Sequence, residues 1–415
     1  MSLSIYKKLF VERKLFLMFV LSIISGMPFS ILVTAMSTWM TELGVALVTI
    51  GLFSSARTPY SMKYLWSPII DNIRLPILHK YLGRRRSWMV LVNILLATTV
   101  YLVAYTDPVN DLMRTWYYAF MICFLAATYD IVWDAFRIES LPEEMQGIGS
   151  AIAISGYRVG MLVSSAGSMY FATYYGWEYT FLALSIILLT GTLATLLMKE
   201  PQISLENQSS PLISAQMLKQ AFVDPFVEFF QRNDAILILS IVILYKLGEA
   251  FLGAMLNPFY IKIGFTKPEI ASVTKVFGLM ATLFGCYLGG IVMLRYSSMR
   301  ALLICGIGQM LSNLIFVWQN YMGPDISALT ISIAIENVTG GMGNVALVGY
   351  MSNLCSKKYT ATHYALLTSF AAFATSVLAS SSGKLAEMMG WDMFFIFTAV
   401  ISLPALLLIR FLTVN

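Results

Sequence analysis

Two histidines and four cysteines in 415 residues leave little material for metal or nucleophile chemistry. Cys123, Cys286, Cys305 and Cys355 are far apart and lack metal-ligand spacing. They read as small buried hydrophobes. His79 falls in a loop and His363 near the start of an apolar segment, so neither suits a proton relay deep in a membrane. No zinc site or nucleophile triad can be assembled from this set, and the chain reads as neither an enzyme nor a metalloprotein. No cofactor is called for. A phosphate loop is missing too: Gly383-Lys384 lacks the upstream glycine and the following Ser/Thr, which argues against direct ATP drive. Charge is also scarce. Only 12% of residues are Asp, Glu, Lys or Arg, against about 25% in soluble domains. The net charge of +5 comes mostly from loops and gives no basis for nucleic-acid binding.

What remains is apolar. Hydrophobic residues make up 58% of the chain and mean hydropathy is +0.74. The apolar runs are about twenty residues or longer, the length that crosses a bilayer as a helix rather than as a barrel strand. The fold class is therefore all-α integral membrane. Twelve spans are expected, over 15–38, 47–68, 87–106, 115–138, 148–173, 178–198, 234–260, 268–292, 299–319, 326–351, 360–383 and 391–412. The N-terminal stretch carries Lys7, Lys8, Arg13 and Lys14 but no convincing cleavage site, so it reads as a retained first span. The long polar gap 199–233 divides a bundle over 1–198 from a bundle over 234–415, and is read as a cytoplasmic linker. Lys and Arg concentrate in the N-terminus, in 69–86, in the linker, at Arg295 and at Lys357-Lys358, which puts both termini in the cytoplasm.

The two halves repeat. "YYGWEYTF" at 174–181 answers "MMGWDMFF" at 388–395, 214 positions on, and the same offset sets Asp130 against Asn344. Leu43-Gly44-Val45 answers Ile263-Gly264-Phe265, 220 positions on. Parallel six-span repeats resemble the major facilitator superfamily. The loop "WSPIIDNIRLPILHKYLGRRRSW" is similar to that superfamily's Gly-x-x-x-Asp-Arg-x-Gly-Arg-Arg, with inserted residues. It offers Asp71 with Arg84, Arg85 and Arg86 as a gate latch on the cytoplasmic side, or as plain topology-setting charge.

Charges retained at membrane depth cost roughly 2.5–3.5 kcal/mol each on insertion scales and are functional candidates. Arg57, Arg158, Lys246, Glu249 and Glu336 fall near the middle of their spans, from both halves, as a central cavity requires. Asp130, Asp134 and Arg137 share one helix face. Asp130 is about 12 Å deep and Arg158 about 15 Å from the same side, so Asp130 is expected to face Arg158. Substrate competing for that arginine would couple its binding to protonation of Asp130. Asp130, Glu249 and Glu336 are thus the proton-coupling candidates, and Asp134 with Arg137 the further gate pair. The alternative for each is a charge pair that locks helices together. Ser25-Gly26-Met27-Pro28 is expected to break the first span. Gly340, Gly341 and Gly343 suit close packing. Trp39, Tyr60, Trp133, Tyr157 and Tyr245 could offer stacking surfaces.

Several blocks resemble the AmpG muropeptide permease family: "TWMTELGVALVTIGLF", "PYSMKYLWSPIID", "GYRVGMLVSSAG", "YKLGEAFLGAMLNPFYIKIGF" and "IENVTGGMGNVALVGYMSNLC". The similarity spans nearly the whole chain. It implies a monomeric, proton-coupled importer in the bacterial inner membrane. The implied cargo is N-acetylglucosaminyl-1,6-anhydro-N-acetylmuramyl peptide bound for peptidoglycan recycling, a flux that in some bacteria also controls β-lactamase induction. Its partners would be that small molecule, protons and membrane lipid. The family's span-four aspartates match Asp130 and Asp134, and its Gly-Tyr-Arg block matches Gly156-Tyr157-Arg158. Arg57, Arg158 and Lys246 suit an anion, Tyr157 offers a substrate-stacking surface, and Asn257, Asn337 and Asn344 suit sugars. Asn344 and His363 depart from the family's pattern, which bears on the exact cargo. The acetyl-coenzyme A transporter family is similar in outline, so another large anion is the rival cargo. A receptor or scaffold that does not transport is the rival class.

Overall fold

The computed structural model describes residues 13–45, 53–201, 215–266, 269–270, 272–376 and 378–414. Lys7 and Lys8 lie outside the described residues. So do the start of the expected second span and 202–214 of the linker. The longer helices are α1 (Arg13–Ser30), α2 (Arg84–Val103), α3 (Leu112–Ser140), α4 (Gln146–Leu162), α5 (Ser168–Leu197), α6 (Ala215–Phe230) and α7 (Ala235–Ile263). They continue as α8 (Gly278–Arg295), α9 (Ser298–Ser312), α10 (Ile315–Met322), α11 (Ile326–Leu354), α12 (Thr360–Ser376), α13 (Trp391–Val400) and α14 (Leu403–Val414). No strand occurs among the described residues. Nine helical stretches among them are long and apolar enough to cross a membrane. Ile186, Leu189, Leu193, Leu196 and Leu197 of α5 are exposed together, an apolar face that needs lipid rather than water beside it.

The helix boundaries follow local chemistry. Asp111 caps α3 by accepting from the Arg114 N–H at 3.1 Å, and α3 stops two residues before Pro142. Asp325 caps α11 through the Ala328 N–H at 2.7 Å. The expected span 47–68 is broken where it is described: Phe53–Arg57, Thr58–Met62, Lys63–Leu65 and Ser67–Asn72 are short turns. Pro59 and Pro68 each sit in the first turn of a new piece, the position where a missing N–H does no harm. In α1 the chain does not break at Ser25–Pro28, contrary to expectation. Helix runs through Pro28 and widens into a π-turn only at Ile31–Met36. Tight packing holds it straight there: a Cβ at Gly26 would lie 2.1 Å from the Tyr157 carbonyl oxygen, and one at Gly160 2.0 Å from that of Ile23. The 199–233 gap also contains a helix, α6.

The chain forms two compact units. The first comprises Met1–Pro142, Ile152–Phe226 and Cys355–Leu366; the second comprises Glu143–Ala151, Val227–Leu354 and Leu367–Asn415. In the first, α1 and α4 meet through Gly26, Gly156 and Gly160. In the second, α8 and α11 meet through Gly285, Gly289 and Gly341, where a Cβ at 285 would fall 2.2 Å from the Val338 carbonyl oxygen. Small residues at such contacts let helix backbones approach where lipid supplies no hydrophobic drive. An aromatic cluster of Phe259, Tyr260, Phe316, Phe394 and Phe395 fills the second unit's core.

Candidate functional site

In the first unit, α3 carries Asp130 on its buried face, 8% exposed. Its Oδ1 accepts from the Ser25 hydroxyl at 2.6 Å. No ion pair joins it to Arg158 among the described residues, so the expected pairing is not seen. The reason is helix phase. Gly156 and Gly160 turn one face of α4 onto α1; Tyr157 acts electrostatically on Asp130; Arg158 lies about 100° further round and is exposed. The cation that acts on Asp130 is instead Lys63, which also acts on Asp134. Lys63 is 8% exposed. Arg57 is exposed at the end of its turn and shows no ion pair among the described residues. Trp39 and Trp133 are core residues, packed on Phe181 and Phe136.

One end of the same unit holds a dense charge network. The Arg85 guanidinium is fully buried, donating to Asp71 Oδ1 at 2.7 Å and pairing with Glu139. Arg84 reaches Glu139 at 3.1 Å and the Asp71 carbonyl at 3.2 Å. The Asp71 carboxylate also accepts three donors from the start of α12: Ala361 N–H at 3.2 Å, Thr362 N–H at 2.8 Å and the Thr362 hydroxyl at 2.7 Å. A carboxylate at a helix N-terminus satisfies its free N–H groups and meets the positive end of its dipole. Glu200 does the same for α2, accepting from the N–H groups of Arg85 and Arg86 at 2.7 and 3.1 Å. Burial raises the Glu200 carboxyl above its ordinary range, against the pull of those two donors. Arg86 turns away from Asp71 and donates to the Thr195 and Leu196 carbonyls ending α5, at 3.1 and 2.9 Å. Arg137 pairs with Asp134 at 3.6 Å and stacks on the Tyr364 ring. The His363 Nδ1 accepts from the Ser356 N–H at 3.3 Å, which leaves Nε2 to donate to the Pro225 carbonyl at 2.9 Å.

In the second unit, α7, α9 and α11 bring Lys246, Glu249, Gln309 and Asn344 together. The Lys246 ammonium donates to Glu249 at 2.5 Å and to the Asn344 side-chain Oδ1 at 2.6 Å. The Gln309 amide donates to the same Glu249 oxygen at 2.7 Å. A narrow crevice opens behind Glu249, edged by Tyr245, Asn313 and Ser402. A second, smaller group lies along α11: Asn337 donates to Glu336 at 2.7 Å and accepts from the Thr282 hydroxyl at 2.7 Å. Asn257 is exposed on α7. Of the three α11 glycines expected to pack closely, Gly341 and Gly343 lie against α8 and Gln309, whereas a Cβ at Gly340 would meet only Glu336, at 4.0 Å.

Lys63, Glu139, Glu200, Gln309 and Thr362 were not singled out from the sequence, and Ser25 was read only as part of a helix break, not as the partner of Asp130. Lys63 carried the same signal as Arg57, a cation inside an apolar segment. Thr362 and Glu200 carried none, because helix capping across the chain needs the fold.

Residues 18–322 and 238–415 match the Major Facilitator Superfamily. The chain is 41% identical over 407 residues to "Putative transporter AmpG 4" of Rickettsia conorii, covering 98% of each. It is 35% identical over 408 residues to the "Anhydromuropeptide permease" of Escherichia coli K12, covering 98% of this chain and 81% of that one. The chain belongs to the AmpG family of the major facilitator superfamily. A solved structure of the E. coli fucose:proton symporter resembles it with a TM-score of 0.70 at 13% identity, over 95% of this chain and 97% of that one. This AmpG-family chain is accordingly a multi-pass membrane transporter with the superfamily's all-α fold. Its span-four aspartates differ in surroundings: Asp130 is buried on Ser25, while Asp134 is partly exposed beside Arg137.

Proposed function

We propose that the chain imports anhydromuropeptides across a bacterial inner membrane, in symport with protons, for peptidoglycan recycling. The observation that carries this reading is near full-length similarity to the E. coli anhydromuropeptide permease. The site's chemistry supports it. Arg57 and Arg158 expose guanidinium groups that meet no carboxylate among the described residues, which suits an anionic cargo. Asn257, Asn337 and Asn344 carry the amides that bond sugar hydroxyls and acetamido groups. Asp130 is a buried carboxylate held by one hydroxyl, and Glu249 is linked to Lys246, Gln309 and Asn344. Either can take up a proton when its partners are drawn to cargo. Asp71 with Arg84 and Arg85 is the latch in this scheme, on the cytoplasmic side where both termini lie. Alternating access follows as the latch opens and closes.

The test is uptake of radiolabelled N-acetylglucosaminyl-1,6-anhydro-N-acetylmuramyl tripeptide into proteoliposomes. Accumulation above the external concentration is expected when an inward proton gradient is imposed, and none when it is collapsed. Equal uptake under both conditions would remove proton coupling. No uptake of this cargo, with competition-sensitive uptake of acetyl-coenzyme A, would replace the substrate.

A further inference from the structure

Lys63 stands out from the other cations of the first unit. It is 8% exposed, and its ammonium makes no hydrogen bond or ion pair to any described residue. Yet both Asp130 and Asp134 feel its charge. A buried ammonium normally has a carboxylate in contact, because an unpaired charge in an apolar interior is costly. Here the carboxylates stand nearby but are engaged elsewhere: Asp130 with the Ser25 hydroxyl at 2.6 Å, Asp134 with Arg137 at 3.6 Å. A second polar group on the same segment is also unmet. The Tyr60 hydroxyl is buried without a hydrogen-bond partner, and it too is coupled to Asp130. Tyr60 and Lys63 are three residues apart on consecutive turns, Thr58–Met62 and Lys63–Leu65. The Phe29 ring packs edge-on to Tyr60, 5.9 Å between centroids, and the Trp66 indole is fixed by its bond to the Thr128 hydroxyl at 3.1 Å. The two unmet groups therefore sit on a segment braced by its neighbours.

We propose that Lys63 and the Tyr60 hydroxyl form a seat for a carboxylate of the cargo, beside Asp130. An ammonium and a phenol present one charged and one neutral donor, which match the two oxygens of a single carboxylate. Neither Arg57 nor Arg158, both exposed, needs to supply this contact. The seat makes Lys63 a specificity-determining residue: it discriminates a free acid from its neutral ester or amide, since only the acid returns a charge partner to the buried ammonium. The inference rests on the proposed cargo for the identity of the anion, not for the existence of the seat.

Two measurements separate the seat from the function. In proteoliposomes, wild-type protein is given radiolabelled anhydromuropeptide as the free acid or as its methyl ester. The free acid is expected to be taken up at least tenfold more efficiently, and Lys63→Gln is expected to reduce that ratio to near one by lowering only the free acid's uptake. Lys63→Arg keeps the charge and is expected to retain most of the preference. A ratio unchanged in Lys63→Gln overturns the proposal. Independently of transport, acetylation of Lys63 in wild-type protein by acetic anhydride is followed by mass spectrometry. Free-acid muropeptide is expected to slow it at least fivefold and the methyl ester not to. Protection without transport would leave the seat standing and remove the proposed function. Transport with equal labelling in both ligands would do the reverse. The labelling arm needs no variant, so a misfolded Lys63→Gln leaves the question decidable.

Discussion

Arg85 is a single side chain holding several elements. Its guanidinium is completely buried, bonded to Asp71, Glu139 and the Ile70 carbonyl at 3.2 Å. Replacing a partner in such a network leaves charges stranded out of water, at a cost of about 3–5 kcal/mol. Arg85→Ala removes the buried cation that Asp71 and Glu139 share, leaving Glu139 with Arg84 and Asp71 with its α12 donors, so its unfolding midpoint in detergent is expected to fall sharply. Arg86→Ala loses only bonds to partly exposed carbonyls and is expected to fall much less. A similar loss for both would show that the three arginines act as bulk positive charge. Glycines give a second contrast. Gly26→Ala drives a methyl group to 2.1 Å from a backbone carbonyl of α4, and neither helix can yield without separating. Gly253 has nothing within 4 Å of the added carbon, and alanine gains up to about 1 kcal/mol over glycine in a helix interior. Gly26→Ala is expected to lose monodisperse protein; Gly253→Ala is expected to match or slightly exceed the wild-type midpoint.

Among the elements, the repeated sequence blocks were the most legible part of the chain. Gly176 and Gly390 adopt φ 82°, ψ 167° and φ 75°, ψ 165°, a region that only glycine enters without strain. Gly44 and Gly264 likewise end their helices with φ 78° and 108°. Matching "YYGW" to "MMGW" thus identified one structural device used twice. The offset that pairs Asp130 with Asn344 is also informative: each accepts a bond from the first helix of its own half, from Ser25 and from Lys246. Segment 47–68 was misread because hydropathy registers its apolar content but not the two prolines that restart its turns. The Asp130–Arg158 pairing was misread because depth along a helix fixes height, not azimuth. Loops carry their own chemistry. The Asp107 carboxylate accepts from Asn110 through both its side chain and N–H, and from the Val109 N–H, and these donors hold it below the usual carboxylate range. A depressed carboxylate contributes its stability above its unfolded value and loses it as pH falls through the folded one. Amide exchange at Val109 and Asn110 is therefore expected to be slow at neutral pH, after correction for intrinsic rates, and to accelerate as pH drops below the ordinary aspartate range. Asp107→Asn should show no such pH step.

For the molecule as a whole, hydropathy was enough to read a helical multi-pass membrane protein, because bilayer thickness imposes span length and only helices satisfy their backbones within it. The repeated halves, with the loop that carries Asp71, Arg84, Arg85 and Arg86, pointed to this superfamily. What could not be read was which distant segments pack together. Cys355–Leu366 belongs with the unit built from the chain's first part, and nothing in its composition says so; the bonds from Ala361 and Thr362 to Asp71 do. This leads to a prediction about that segment. Asp71→Asn removes the charge that three α12 donors and Arg85 share, while Arg85 keeps Glu139. The amide side chain can still accept one or two of those bonds, but it no longer opposes the positive end of the helix, an interaction that in partly buried settings reaches about 2 kcal/mol. Each 1.4 kcal/mol is roughly a tenfold change in an opening equilibrium. Hydrogen exchange at Ala361 and Thr362 is therefore expected to accelerate by about tenfold or more, as the same arithmetic gives, while exchange in the core of α3 stays at its wild-type rate. Thr362→Val, which loses one hydroxyl bond but keeps both N–H contacts, should accelerate them far less. Unchanged exchange in Asp71→Asn would mean that packing of Tyr364 on Arg137, rather than the carboxylate, holds the segment in place.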